Sequence, residues 1–147
     1  DIEDTACFDI GGRLIKVDTN EIIRYISPKV KEIIKREALE IHLNEKLNLK
    51  ELDKLLAIFV QVLENSIGLG DKSPYFDLLI TNKALSTRIQ IKCISFSGGV
   101  ADGIKKEPIQ NPFKYGDIGL LLGKKISGSL LMTDLKLIPT VETIRAT

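Results

Sequence analysis

RIQIKCISFSGGVADG, residues 88–103, is the stretch on which the reading of the fold turns. Ile89, Ile91 and Cys93 alternate with Gln90 and Lys92, the two-residue period of a half-covered strand. At Cys93-Ile94-Ser95-Phe96 the alternation gives way to apolar or small residues on both faces. That predicts a strand buried on both sides, as in the middle of an α/β sheet. The strand runs into Ser97-Gly98-Gly99. Glycines at the C-terminal end of a buried strand let a ligand approach bare backbone, and open α/β sheets place their crevices at that edge. A Gly-Gly step is also the signal of a tight turn leaving a strand. Spacing alone leaves both readings open.

Upstream, residues 5–10 read as a buried strand. Gly11-Gly12 turn the chain into a second strand at 13–17, and Asp18-Thr19-Asn20 turn it into a third at 22–26. Leu14 against Lys16, and Ile23 against Arg24, fit hairpin strands with one wet face. Asp9-Ile10-Gly11-Gly12 has the acid-then-glycine look of a phosphate loop. Arg13 and Leu14 follow, where such loops carry Ser or Thr, and a plain Gly-Gly turn is the alternative. Ser27-Pro28 starts a helix with Val30, Ile33, Ile34 and Ala38 on its apolar face. Asn48 with Glu51 fits a capping box for a second helix. That helix carries Leu52, Leu55, Leu56, Phe59, Leu63 and Ile67 on one stripe, and Gly68 ends it. Ser73-Pro74 starts a short helix to about residue 82, with Tyr75, Phe76, Leu79 and Ile80 in the core.

Downstream, residues 107–115 read as a loop, Asp117 as the cap of a helix over 118–126, and 130–138 as holding another strand. Residues 143–147 read as the beginning of one more.

Composition narrows the function classes. The chain of 147 residues is long enough for one domain with a sizeable core, and its 44% hydrophobic content is that of a globular protein. Its 21 basic residues are spread among 20 acidic ones without a basic stripe interleaved with aromatics, which argues against a nucleic-acid partner. No apolar run approaches a membrane span. Cys7 and Cys93 are far apart, and reduced, buried thiols of a cytosolic protein are the expectation. His42 is the single histidine, so no metal site is expected. The chain opens at Asp1 without Met, which suggests a piece of a longer protein.

Five blocks, taken in order, resemble one family: DTACFDIGGRLIKVD (4–18), YISPKV (25–30), SFSGGVAD (95–102), NPFKYGDIGLLLG (111–123) and TIRAT (143–147). Together they span nearly the whole chain, and they are similar to the ethanolamine ammonia-lyase reactivating factors, the EutA family of ethanolamine utilisation. That family looks like a branch of the actin, sugar-kinase and heat-shock-chaperone ATPase superfamily. Its fold is two lobes around a nucleotide, each built on a ribonuclease-H-like sheet. The resemblance therefore implies an α/β fold in which residues 1–147 are a truncated C-terminal lobe. Residues 1–10 and 89–147 would belong to the core sheet, and 11–88 would be an inserted hairpin-plus-helices subdomain.

The resemblance also implies a site. Ser97, Gly98, Gly99 and Val100 match the adenosine-side loop of the superfamily, and Asp102 follows where it could reach ribose or bound water. Residues 9–12 match a segment lying after the second phosphate loop, so they are not expected to form a phosphate loop. No catalytic residue and no metal ligand is matched. The loops that handle magnesium and the transferring phosphate have no counterpart here, and phosphoryl transfer depends on such oriented donors and a metal. The chain alone is thus expected to bind ATP weakly or not at all and to lack ATPase activity.

For the intact protein, the implied function is chaperone-like: ATP and magnesium used to help exchange damaged cobalamin on ethanolamine ammonia-lyase. The implied location is the cytoplasm, in association with a bacterial microcompartment. A hairpin that precedes Asp1 in the family is absent, which would leave the strands at 5–10 and 89–96 facing a gap. Three outcomes are open there: direct pairing of the two strands, a second copy that supplies the missing pairing, or a loosely ordered edge; the second, a homodimer joined at those edges, is the expectation. The alternatives are another actin-like ATPase or sugar-kinase lobe, and a non-catalytic interaction module in which Gly98-Gly99 is only a turn.

Overall fold

The computed structural model describes residues 4–86, 90–104 and 108–138. Its best-formed strands are β1 (Ile15–Val17) and β2 (Ile23–Ile26), an antiparallel pair in which Ile15 faces Ile26 and Lys16 faces Tyr25. Ile15 and Val17 are buried on either side of exposed Lys16. In β2 the buried residues, Ile23 and Ile26, are three apart, which strict alternation forbids. A register irregularity resolves this: Val17 pairs with Ile23 and Lys16 with Tyr25, so Arg24 is the extra residue of a bulge. The connecting turn is held by Asp18, whose Oδ1 accepts from the backbone N–H of Asn20 (2.9 Å) and Ile22 (3.0 Å). The Ile22 bond leads in holding the Asp18 carboxyl below its ordinary pKa.

Helix α1 (Pro28–Arg36) begins as its sequence predicts. Ser27 Oγ accepts from Val30 N–H, Pro28 takes the first helical position, and Val30, Ile33 and Ile34 are buried. Ala38, expected on the apolar face, instead lies past the helix end and is exposed at φ +51°. Helix α2 (Leu49–Ser66) is capped by Asn48, whose side chain accepts from Lys50 and Glu51 N–H. The capping box is not reciprocal, because the Glu51 carboxylate accepts from Glu40 N–H at 3.1 Å and so ties the α1–α2 connection to α2. The helix closes at Gly68 (φ +81°), with Leu69 N–H donating to Glu64 O and Gly68 N–H to Asn65 O. Leu52, Leu55, Leu56, Phe59, Val60 and Val62 are buried, each stabilising the fold by roughly 1.5–3 kcal/mol over exposure to water.

The helix at Ser73-Pro74 is shorter than its pattern suggests: α3 (Phe76–Leu79) is a single turn. Its approach is held by Asn65, which accepts from Ser73 N–H and donates to the carbonyls of Leu69 and Asp71. Tyr75 is 3% exposed and its hydroxyl donates to Glu37 Oε1 at 2.7 Å. Burial first, and the Glu37 contact second, push the phenol from 10 up to about 12. A folded pKa above the unfolded value adds stability that is complete below pH 10 and lost as pH rises through 12. The expected result is that the urea midpoint of the wild type falls across pH 10–12 by more than that of Tyr75→Phe. Equal falls would contradict the buried hydroxyl.

Downstream lie β3 (Cys93–Ile94), α4 (Gly99–Ile104), α5 (Gly119–Ser127), α6 (Leu130–Asp134) and β4 (Lys136–Leu137). β3 and β4 are parallel neighbours, with Cys93 opposite Lys136 and Ile94 opposite Leu137. The strand expected in 130–138 is therefore β4, preceded by a helix that the sequence pattern did not announce. One apolar core runs from Ile15 and Ile23 through α1 and α2 to Ile118, Leu122 and Ile126 of the α5 segment. Lys125 reinforces the α2–α5 contact by pairing with Asp53 at 3.0 Å.

Two expectations are corrected. The central strand is not buried on both sides: Ile94 and Phe96 turn inward, while Cys93 and Ser95 are exposed. Ile94 and Phe96 pack against the core, so one face of this segment is covered, and β4 is the one sheet neighbour of β3 among the described residues. Residues 5–10 form no strand. Phe8 bridges to Ile80, Asp9 N–H donates to Leu79 O, and Thr81 N–H donates to Cys7 O, which leaves Cys7 exposed as well. The strand start at Ile89 and the one at 143–147 lie outside the described residues. Among the described residues no helix is long and apolar enough to cross a membrane.

Candidate functional site

Ser97 to Gly99 form the step from β3 into α4. Ser97 is exposed, Gly98 sits at φ +77°, and Gly99 opens the helix, whose first turn is tied by Ala101 N–H to Gly98 O at 3.1 Å. The left-handed φ explains Gly98 without a ligand, since a β-branched residue there would be strained.

The other glycines nearby are explained by packing. A Cβ on Gly103 would lie 2.1 Å from the carbonyl oxygen of Leu120, and one on Gly123 would lie 2.1 Å from that of Val100. Helices α4 and α5 thus touch backbone to backbone. A Cβ on Gly12 would lie 2.6 Å from Gly119 Cα, and Gly12 O accepts from Ile118 N–H at 3.2 Å. Gly12 is therefore packed against the start of α5, and Lys29 holds Asp9. This is a packing role, which neither the phosphate-loop reading nor the simple turn reading had described.

Gly11 is extended, at φ 179°, with nothing near its Cβ position among the described residues, and within the candidate loop Gly99 is the exception. Among the described residues a Cβ added there would meet only Tyr115 Cδ2, at 4.0 Å, an ordinary contact distance. Its missing side chain is required neither by φ nor by close packing. Asp102, three residues on, is half-buried and its Oδ2 accepts from the Tyr115 hydroxyl at 3.1 Å. Val100 is half-buried, with its carbonyl turned toward Gly123.

The fold brings together segments read separately in the sequence: 9–12, 97–103 and 111–123. Val17 N–H donates to Gly116 O at 3.0 Å and Lys16 bridges to Asp117, which docks β1 beside the third of these. Asp117 Oδ1 accepts from Gly119 N–H at 2.8 Å, so it ties down the first turn of α5 from one residue before the cap position, which Ile118 takes in its place. What sequence reasoning missed is α4, together with the Tyr115 partner of Asp102. The available signal was Gly103 and Gly123, glycines within segments of otherwise helix-compatible residues, whose missing side chains let two backbones approach closely.

The family model described as ethanolamine utilisation protein EutA matches residues 1–147. The ethanolamine ammonia-lyase reactivase EutA of Escherichia coli (strain K12) is 26% identical over 151 residues, covering 99% of this chain and 31% of that protein. The reactivase of the same name from Salmonella typhimurium (strain LT2) is 25% identical over 150 residues, again covering 99% of this chain and 31% of that protein. The chain thus spans about a third of the length of these relatives. No solved structure matches it.

Proposed function

We propose, from the premise that this chain belongs to the ethanolamine utilisation protein EutA family, that it is part of a reactivating factor for ethanolamine ammonia-lyase. The match over residues 1–147, and the names of the two relatives, support that reading. In the intact protein the chain contributes part of the second lobe of an actin-like ATPase, in the cytoplasm and associated with a bacterial microcompartment.

Its own residues would form the adenosine side of a nucleotide site. The observation that carries this is Gly99, which lacks a side chain at a place where the chain's own packing has room for one. Ser97 offers an exposed hydroxyl beside it. Gly98 sets the turn that presents the backbone. Val100 anchors the first turn of α4 against α5. Asp102 acts by positioning Tyr115, whose ring is the nearest side-chain neighbour of the open face at Gly99.

ATP with magnesium would supply the free energy that shifts the protein between forms of different affinity for the lyase. A ligand moves such an equilibrium only by its differential affinity for the two forms. The residues described here hold no phosphate-side donor set, so they bear on binding and closure rather than on phosphoryl transfer. The test is turnover by ethanolamine ammonia-lyase that has trapped damaged cobalamin. The full-length protein with ATP, magnesium and intact adenosylcobalamin is expected to restore it. Restoration of equal extent without nucleotide would contradict the ATP-dependent reading, and no restoration under either condition would contradict the reactivase reading.

A further inference from the structure

We propose that the groove between α1 and the α1–α2 connection docks a segment of a partner protein that carries aliphatic side chains flanked by carboxylates. The groove is a shallow, open depression of about 440 Å³, lined on its apolar side by Ile34, Leu39 and Ile41. Leu43 stands on its rim and is 45% exposed. The turn that presents Leu43 is anchored: Asn44 N–H donates to Ile23 O at 2.8 Å, and Ile23 N–H donates to Glu45 O at 2.9 Å. Leu43 is therefore held half in water by backbone bonds to β2. Ala38, which also lines the groove, keeps a left-handed backbone at φ +51° where glycine would be the usual choice.

Charge specifies the occupant. Lys31 and Lys35 lie one turn apart on α1, both exposed, both lining the groove. Other cations of α1 are matched, since Arg36 pairs with Glu32 and Lys29 with Asp9. Lys31 and Lys35 make no ion pair among the described residues. The carboxylate on this rim, Glu40, is turned to His42, 2.9 Å away. An apolar floor under two unmatched cations, spaced i and i+4, complements an amphipathic helix with carboxylates one turn apart beside its apolar stripe.

The probe is a fluorescent amphipathic helix of Leu and Glu, about 15 residues long, titrated into the full-length protein and read by anisotropy. A Leu/Lys peptide of the same pattern serves as its counterpart. Saturable binding of the acidic peptide is expected, with the basic one weaker by about tenfold or more. Lys31→Glu combined with Lys35→Glu should lose a similar factor, and Leu43→Ser should weaken binding with the helix content by circular dichroism unchanged. Equal affinity for the two peptides, full binding by the double variant, or no binding at all overturns the proposal. A concentration-dependent dimer that Leu43→Ser dissociates would assign the groove to a second copy, and overturns it as well.

Discussion

Replacing Gly123 with alanine should destabilise the protein by roughly 3 kcal/mol or more, at the upper end for inserting a methyl where there is no room. The added Cβ would fall 2.1 Å from Val100 O and 2.9 Å from Gly103 Cα. Both are backbone atoms of α4, so no side chain can rotate away to relieve the clash. The two helices would have to separate, and α4 is only a six-residue helix with two glycines, which cannot hold its own conformation without α5. The loss should appear as a lowered urea midpoint. Gly103→Ala should behave alike, since its Cβ would meet Leu120 O at 2.1 Å. A cost under about 1 kcal/mol for either change, below the usual overpacking range, would mean that α4 is not seated on α5.

Phe59→Ala is the second large effect, expected at about 3–5 kcal/mol. Phe59 is 0% exposed on α2, in the core shared by the hairpin, α1 and α2. Removing the ring leaves a void that neighbours such as Leu55 and Val62, themselves fully buried, cannot fill without leaving their own contacts. Leu49→Ala on the same helix is the control. Leu49 is 55% exposed, so its loss should stay within about 0.5 kcal/mol. Similar costs for the two changes would contradict the assignment of the buried face of α2.

The parts of the fold that were legible in the sequence are those fixed by local chemistry. Ser27-Pro28, Asn48 and Gly68 each act through a backbone group one to four residues away, and each does in the structure what its residue type predicts. The hairpin was legible as a pair of strands, but its first strand begins at Ile15 after a 3-10 turn at Gly12–Leu14, and Ile15 and Val17, not Leu14, are the residues it buries.

What failed depends on distant partners. Residues 99–104 have the composition of a loop, and α4 exists because Gly103 and Gly123 let two backbones meet across twenty residues of chain. Cys93 was misplaced for a related reason. Its apolar neighbours implied cover on both faces, whereas the core covers one face only, and the inward parity belongs to Ile94 and Phe96. The candidate site was legible as a position, but not in the division of labour among its glycines. Gly12, Gly103 and Gly123 are accounted for by packing and Gly98 by its φ, which leaves Gly11, extended with nothing near it among the described residues, and, in the candidate loop itself, Gly99.

That residue offers the most direct test of the nucleotide reading. Gly98→Val would confound ligand and backbone, because φ +77° strains any β-branched residue whether or not a ligand binds. Gly99→Ala adds one methyl into space the described residues leave open, so the folded protein should keep its thermal midpoint. The measurement is calorimetric titration of magnesium-ATP into the full-length protein, wild type against Gly99→Ala. The account predicts an affinity lower by about tenfold, the equivalent of 1.4 kcal/mol, at an unchanged midpoint. Unchanged affinity in the folded variant would contradict it and return residues 97–99 to the role of a turn.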